Sequence, residues 1–306
     1  MRIALTQKKK TWSGQTLCVW DLAVDLRERG HETFLIAPPN TVFAETAAAA
    51  GFPLLKAHMD GRAGLRTVLR MAQFLRENRV ELLHCHDPRE HLLGCLAARL
   101  AGVRALVRTK CNMLPLRNVL SRWLHGPLTS RLLSVSDAVK GVLVECGIPA
   151  DKITTIYGYV DCERFRPGPP SAGLKRSLGI PEKSLVVGNV GRLHVSKGIG
   201  DLIRAIPRVV ESVPDVRFLF VGSRHAQWLP LVKELSVEPH CVFAGHVPNE
   251  TVPDCMRLMD VLVFPTHREA FGRAILEAMA MRRAVVAANV GGVPEFVIEG
   301  TNGLLV

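Results

Sequence analysis

The sequence predicts an α/β chain of two Rossmann-like domains, residues 1–166 and 167–306, facing each other across a cleft. Three observations carry this. Short apolar runs such as Ile3-Ala4-Leu5 and Val261-Leu262-Val263-Phe264 read as buried strands. Nearly every such run is followed by a polar loop and an amphipathic helix, so the order strand–loop–helix recurs through both halves. That order implies parallel sheets with right-handed crossovers. Between the halves lies Arg166-Pro167-Gly168-Pro169-Pro170-Ser171, which has the composition of a linker. A chain of 306 residues is long enough to build a core on each side of it.

In the first half, Ile3-Ala4-Leu5 is the opening strand and Lys8 to Gln15 a polar, Gly-containing loop. Leu17 to Arg29 has helical spacing, with Leu17, Trp20, Val24 and Leu26 or Ala23 turned inward and Gly30 as its stop. Thr33 to Ala37 is the second strand, ended by Pro38-Pro39. Pro53-Leu54-Leu55 is a short third element. Leu65 to Asn78 is helical, and Arg62, Arg66 and Arg70 form a basic stripe at its start. A stripe of this kind is usually a solvated face; contact with a membrane surface is the less common alternative. Val80 to His84 is the next strand and leads into His84-Cys85-His86-Asp87-Pro88. His91 to Leu100 is helix, Ala105 to Val107 strand and Asn118 to Leu124 helix. Leu132 to Val135 is strand, and Ser136-Asp137 caps a helix that runs to about Cys146. Ile153 to Ile156 closes the first half.

The second half repeats the style. Leu185 to Val190 is a strand running into Gly191-Arg192-Leu193-His194-Val195-Ser196-Lys197-Gly198, and Asp201 to Val213 is the helix after it. Arg217 to Gly222, Val242 to Ala244, Val261 to Phe264 and Ala284 to Ala287 are strands; Leu229 to Leu235 and Val252 to Met259 are helices. The strand at 261–264 feeds the loop Pro265 to Ala270. A helix begins near Phe271-Gly272, with Ile275, Leu276 and Met279 on one face. Ligands of open α/β sheets bind outside the carboxyl ends of the strands. Glu269 therefore sits at a loop-to-helix junction, and Glu277 about two turns along. By themselves the two carboxylates are a cap and a surface residue as readily as a binding pair.

Composition narrows the classes. The chain is 48% hydrophobic and 22% charged, with only 6% aromatic residues and a net charge of +11. Residues 1–160 hold 22 Lys/Arg against 13 Asp/Glu, and residues 161–306 hold 17 against 15. A basic first half suggests an acidic partner: anionic lipid, a phosphorylated acceptor or nucleic acid. Nucleic acid ranks last, because no nucleic-acid motif and no interleaving of aromatic with basic residues is present. Eight scattered cysteines without a C-x-x-C pair read as reduced thiols, which places the protein in the cytosol. No apolar run reaches membrane-spanning length. Lys8-Lys9-Lys10 follow the first apolar residues where a signal peptide would have its hydrophobic region.

Neither half carries G-x-G-x-x-G after its first strand, and there is no P-loop, so nicotinamide and ATP chemistry are poorly supported. Gly191, Arg192, Lys197 and Gly198 follow a strand and precede a helix. Two cations flanked by glycines would hold a diphosphate without a metal, although solvated surface charges fit the same position. No D-x-D pair argues for a metal-dependent enzyme. His84 and His86 share a strand face but lack a third and fourth ligand at suitable spacing. His86 is therefore read as pointing into the cleft and His84 as packed.

Together these stretches resemble the GT-B glycosyltransferases of family four. The resemblance rests on Gly191-Arg192-Leu193 to Gly198, Val221-Gly222, Phe243 to Gly245, the Pro265 to Ala280 stretch with its Glu-x7-Glu, and Gly291-Gly292-Val293-Pro294-Glu295. In the first half it extends to the Ser13-Gly14 loop, Leu26 to Glu32, Lys152 to Ile156 and Val160 to Pro167. It implies a retaining transferase that moves a sugar from a nucleoside-diphosphate sugar to a lipid-linked or cell-envelope glycan acceptor, with no cofactor and no metal. By position, Arg192 and Lys197, next to Gly191, would bind the diphosphate. Glu277 would bind the ribose hydroxyls. Glu269 would contact the donor sugar, with backbone groups of Ala270, Phe271 and Gly272. Ser13 and Gly14 would approach the phosphates from the other domain, and His86 would lie near the reacting sugar or acceptor.

The basic half would carry the acceptor and touch an anionic membrane peripherally, at the inner face of the cytoplasmic membrane. A non-catalytic relative binding nucleotide or a partner, and a sugar-nucleotide epimerase, share the architecture. Several positions depart from the family pattern: Ser13 precedes Gly14 where Gly-Gly is usual, Arg108 to Cys111 carries no His, and Gly158-Tyr159 and Arg282 to Ala284 replace the usual residues. The chain also stops at Val306, so the second domain is expected to lack its last helices.

Overall fold

The chain forms two α/β units, Met1–Gly158 and Tyr159–Val306, in a computed structural model that describes residues 1–10, 12–60 and 64–306. The first unit runs β1 (Arg2–Thr6), α1 (Gly14–Glu28), β2 (Glu32–Ala37), α2 (Val42–Ala49), β3 (Leu54–Lys56), α3 (Leu65–Glu77), β4 (Leu82–Cys85), α4 (Pro88–Ala101), β5 (Ala105–Lys110), α5 (Val119–His125), β6 (Arg131–Ser134), α6 (Asp137–Glu145) and β7 (Ile153–Thr155). The second runs α7 (Leu174–Ser177), β8 (Val186–Val190), α8 (Ile199–Ser212), β9 (Arg217–Val221), α9 (Leu229–Glu234), β10 (Cys241–Gly245), α10 (Val252–Arg257), β11 (Val261–Phe264), α11 (Arg273–Ala280), β12 (Ala284–Ala287) and β13 (Leu304–Leu305).

The first unit holds a seven-stranded sheet of order β3-β2-β1-β4-β5-β6-β7, and the second a six-stranded sheet of order β10-β9-β8-β11-β12-β13. Among the described residues every strand pairing is parallel, with Ile3 opposite Thr33 and Leu82 in the first sheet and Val187 opposite Phe218 and Val261 in the second. Parallel strands are covered on both faces, which is why they read as apolar runs without strict alternation. In the first sheet, Ile3, Leu5, Leu35 and Ala37 face Val19, Ala23, Phe43 and Ala47 of α1 and α2. Ala4, Phe34, Ile36 and Leu83 face Val68, Met71, Leu75 and Leu93 of α3 and α4. In the second, Phe218 and Phe220 lie against Leu202, Ile203 and Ile206 of α8. Val190, Leu262 and Phe264 lie against Ile275, Ala278 and Val293 on the other face. Burying each such Leu, Ile or Phe contributes roughly 1.5–3 kcal/mol, so the four helix–sheet layers outweigh any surface ion pair in fixing the loops they carry.

Several boundaries differ from the sequence expectation, each for a local reason. The units divide at Gly158–Tyr159 and not at 166/167. Phe165 is buried in the second unit's core, and the Arg164 guanidinium donates to the carbonyl of Asn249. Helix α1 begins at Gly14, three residues before Leu17, because the Ser13 side chain accepts from Thr16 N and caps it. Its inward face is Thr16, Val19 and Ala23, with Trp20, Val24 and Leu26 at the margin. Helix α4 begins at Pro88, capped by Asp87. Helix α2, unread in the sequence, is capped by Thr41 and packs through Phe43, Ala44 and Ala47. On α3, Arg66 and Arg70 are exposed; Arg62 lies outside the described residues.

Candidate active site

In both sheets the chain order reverses next to the first strand of the unit, between β1 and β4 and between β8 and β11. At such a switch point the loops leaving the two neighbouring strands turn to opposite faces and leave a crevice. Most of the residues singled out in the sequence lie on these loops.

In the second unit, the loop after β8 carries Gly191, at φ +143, then an exposed Arg192 and a buried Leu193. His194 Nδ1 accepts from Ser196 N and starts a single 3₁₀ turn, Val195–Lys197. Gly198 follows at φ +66, and a Cβ there would fall 1.7 Å from the carbonyl oxygen of Pro265. The loops after β8 and β11 thus touch backbone to backbone, which only glycine permits. Two further bonds fasten them: His267 N donates to Ser196 O at 3.1 Å, and Thr266 Oγ1 to the same oxygen at 3.2 Å.

This fastening brings Lys197 and Glu269, 72 residues apart, into an ion pair of 2.5 Å between Nζ and Oε2. The ammonium also stands 5.5 Å from the centre of the Phe264 ring. The other oxygen, Glu269 Oε1, accepts from the backbone N–H groups of Ala270 at 3.0 Å and Phe271 at 3.4 Å. Gly272, at φ +95, precedes α11. The loop after β12 closes the group: Gly292 N donates to Glu269 O, and a Cβ on Gly291 would lie 1.8 Å from that oxygen.

Glu277 lies in α11, four residues after the helix starts at Arg273, not two turns along. It is buried, and Arg273 Nε donates to its Oε1 at 3.0 Å. Burial raises its pKa against the opposing charge of Arg273 and, more weakly, Arg164. The inward face of α11 is Ile275 and Ala278, so Glu277 is a buried polar group with one charged partner and not a surface carboxylate. The Arg192 guanidinium, by contrast, has no hydrogen-bond or ion-pair partner among the described residues. The second unit therefore gathers two paired cations, one unpaired guanidinium and two carboxylates on glycine-held loops at the start of α11.

In the first unit, Ser13 and Gly14 form the N-terminus of α1. Trp12, just before them, packs edge-on against Trp20 at 6.2 Å and Phe43 at 6.1 Å, anchoring the approach to the helix. His86 and His84 are both buried, with ring centroids 4.2 Å apart. The Nδ1–H of His86 donates to the carbonyl of Thr6 at 3.1 Å, which leaves a lone pair on Nε2. Burial pulls its pKa down to about 4, so the ring is neutral at pH 7. His84 Nε2 is taken up by Thr109 Oγ1 at 2.7 Å, and burial with the neighbouring His86 pulls its pKa well below the usual range. Each ring has thus committed one nitrogen to the protein. Among the described residues no three His, Cys, Asp or Glu side chains converge as a metal site.

Glu90 holds this arrangement and was not singled out in the sequence. It is fully buried. Its Oε2 accepts from Thr6 Oγ1 at 2.7 Å, His86 N at 3.0 Å and Asp87 N at 3.1 Å, and its Oε1 from Lys8 N at 2.6 Å. Burial raises its pKa, and the bonds from Thr6, His86 and Lys8 oppose the rise. It joins the loop after β1 to the loop after β4, as Lys197–Glu269 joins those after β8 and β11. The readable signal was Asp87-Pro88-Arg89-Glu90, a capping box with Pro at the first helical position. Arg108, at the sequence's departure from the family pattern, is also buried; desolvation lowers its pKa while Cys85, Glu90 and Asp87 oppose the change.

The family profile for glycosyl transferases group 1 matches residues 184–306, and that for Glycosyltransferase Family 4 matches residues 12–164. The chain is 30% identical over 232 residues to the GPI3 subunit of phosphatidylinositol N-acetylglucosaminyltransferase of Saccharomyces cerevisiae, covering 72% of this chain and 50% of that protein. It is 27% identical over 305 residues to N-acetyl-alpha-D-glucosaminyl L-malate synthase of Bacillus anthracis, covering 93% of this chain and 78% of that one. The chain thus spans about half the length of the yeast relative. Among solved structures, Anabaena HepE in complex with UDP-glucose matches with a TM-score of 0.85 at 24% identity, over 100% of this chain and 85% of that one.

Proposed function

Because this chain belongs to the group 1 glycosyltransferases of family 4, with two parallel α/β units of the GT-B type, we propose that it transfers a sugar from a nucleoside-diphosphate sugar to a glycan or lipid-linked acceptor, with retention at the anomeric carbon. The observation that carries this reading is the Lys197–Glu269 pair, set on glycine-held loops at the switch point of the second sheet. Nearby Arg192 is exposed and unpaired. A diphosphate arriving there would take Lys197 from Glu269 and add Arg192. The two cations then face the negative charge that builds on the leaving group. Glu269, so released, and the N–H groups of Ala270, Phe271 and Gly272 would turn to the hydroxyls of the donor sugar.

Glu277 would exchange part of its bond to Arg273 for the ribose hydroxyls; its burial makes it a strong acceptor for them. Ser13 and Gly14, at the N-terminus of α1, would meet the phosphates through free backbone N–H groups. His86, neutral and with Nε2 carrying a lone pair, would accept a hydrogen bond from a hydroxyl of the sugar or acceptor. Two protein cations at the diphosphate make a metal unnecessary for charge neutralisation. The HepE complex makes UDP-glucose the first donor to test. A nucleotide-sugar donor and eight unpaired cysteines would fit a reaction in the cytoplasm, at the inner face of the membrane when the acceptor is lipid-linked.

The test is thermal stabilisation by nucleoside diphosphates, followed by transfer or donor hydrolysis across a panel of nucleotide sugars. UDP or another diphosphate should raise the melting temperature, and Lys197→Ala and Glu277→Ala should each abolish the rise. Persistence of the shift in both variants would overturn the site assignment.

A further inference from the structure

The outer layer of helices on the first unit presents apolar and cationic side chains together. On α5 and its lead-in, Leu114, Val119, Leu120 and Trp123 are exposed, Val119 by 81% and Trp123 by 51%. Val119 and Trp123 are one helical turn apart, so they share a face. Arg117 and Arg122 stand exposed beside them. Between Glu90 and Asp137 the chain carries no Asp or Glu, and of its seven Arg or Lys, Arg108 and Lys110 are buried. Helix α3 repeats the pattern: Leu65 and Leu69 are exposed, interleaved with Arg66 and Arg70. It packs along α4, which in turn touches α5.

Topology places these groups at one end. In a parallel sheet the crossover helices run opposite to the strands, so their N-termini lie at the strands' carboxyl ends. Leu65 to Arg70 form the first half of α3, and Val119 to Arg122 the first half of α5, with Trp123 just past its middle. They therefore lie toward the sheet end where β4 delivers His86.

We propose that the N-terminal halves of α3 and α5, with the loop before α5, form a docking surface for an anionic lipid bilayer, with Val119, Leu120 and Trp123 entering the headgroup region and the arginines meeting lipid phosphates. Exposed Trp with aliphatic neighbours and flanking arginines matches the amphipathic chemistry of that boundary. The exposed Arg66, Arg70, Arg117 and Arg122 are complementary to a negative surface. A second copy of the chain fits less well: α5 is only about 10 Å long, short against the roughly 800 Å² that each side of a stable dimer buries. Among the described residues no helix is long and apolar enough to cross a membrane. The inference builds on the reading of a lipid-linked acceptor for its purpose, and its test does not depend on that reading.

The experiment is co-sedimentation of the full chain with vesicles of phosphatidylcholine alone or with one quarter phosphatidylglycerol, in about 0.02 M and about 0.5 M salt. Binding is expected only to the anionic vesicles and only at low salt. Val119→Ser/Trp123→Ser should lower the partition coefficient about tenfold or more, and Arg117→Gln/Arg122→Gln should do the same, with melting temperatures unchanged because these side chains are exposed. Equal binding to neutral vesicles, or unchanged binding of both variants, overturns the proposal. So does a dimer in solution that Val119→Ser/Trp123→Ser dissociates, since a second copy then covers the face. The nucleotide-induced thermal shift measured on the same variants reports separately on the transferase reading.

Discussion

Removing the Glu90 carboxylate should loosen the first unit from its switch point outward, and the structure allows the size to be worked out. Four donors converge on it, three on Oε2 and one on Oε1. In Glu90→Ala all four lose their acceptor. The Thr6 hydroxyl and His86 N–H lie in buried surroundings where water does not replace it, at about 1–3 kcal/mol each. Lys8 N and Asp87 N are partly exposed and recover some of the loss. Adding the small cavity and subtracting the relief of a buried charge leaves about 3–5 kcal/mol. Glu90→Gln behaves differently. An amide oxygen placed at Oε2 keeps three bonds, and the amide nitrogen then faces the Lys8 N–H, donor against donor, for about 1–2 kcal/mol. The assay is urea unfolding followed by hydrogen exchange read peptide by peptide, with the second unit as internal reference. Exchange should quicken first at Lys8, His86 and Asp87. Equal losses for Gln and Ala, or a loss under about 1 kcal/mol for Ala, would refute the reasoning.

Two further outcomes are expected. Gly291→Ala places a methyl 1.8 Å from Glu269 O at a φ of +56 and must push the Glu269 loop aside; it should cost about 2–4 kcal/mol and remove the nucleotide-induced thermal shift, and a retained shift would count against the loop contact. The first unit should also weaken on acidification. His86 and His125 have folded pKa values of about 4, lowered by burial, against an ordinary 6.5, so between those values the unfolded chain holds more protons and stability rises with pH. The contribution of each, up to about 3 kcal/mol, is complete above pH 6.5 and lost as pH falls toward 4. The urea midpoint of the first unit should fall between pH 7 and pH 4.5, and His125→Gln should flatten the slope.

What the sequence makes legible is local. Strands announce themselves as apolar runs, and Ser136 and the prolines mark boundaries within a few residues. Glu269 and Glu277 stand out because both lie on one strand-to-helix connection. Other features depend on distance along the chain. Glu90 bonds to Thr6 and Lys8, 84 and 82 residues away, and its spacing from Asp87 signals a helix cap but not an inter-loop clamp. Lys197 and Glu269 each look like binding residues, while their mutual pairing requires β8 and β11 to be neighbours. Helix α2 escapes notice because its buried side chains are mostly alanines, with little contrast between faces. The division at Gly158 lies upstream of the Pro- and Gly-rich stretch because Phe165 is already committed to the second core.

The two switch points solve the same geometric problem with opposite electrostatics, and the difference assigns them different work. At β1/β4 the joining carboxylate is fully buried, all four of its bonds go to the protein, and the neighbouring His86 is held neutral through one committed nitrogen. Such a junction resists exchange, because any ligand group replacing Glu90 would have to desolvate and satisfy four donors at once. At β8/β11 the loops are fastened by bonds to Ser196 O, and the charged join between them is one ion pair whose partners are part-exposed, so water and ions already compete for it, and an ion pair of that kind is worth about 1 kcal/mol or less. A diphosphate offering several charged oxygens to Lys197, with Arg192 unengaged beside it, outbids one carboxylate at little cost to the fold. The chain therefore keeps its first junction as a rigid support for His86 and its second as the place where protein contacts give way to ligand. On this argument, exchanging Glu269 for Gln should leave the second unit's stability within about 1 kcal/mol of the parent while changing donor binding, whereas exchanging Glu90 changes stability first.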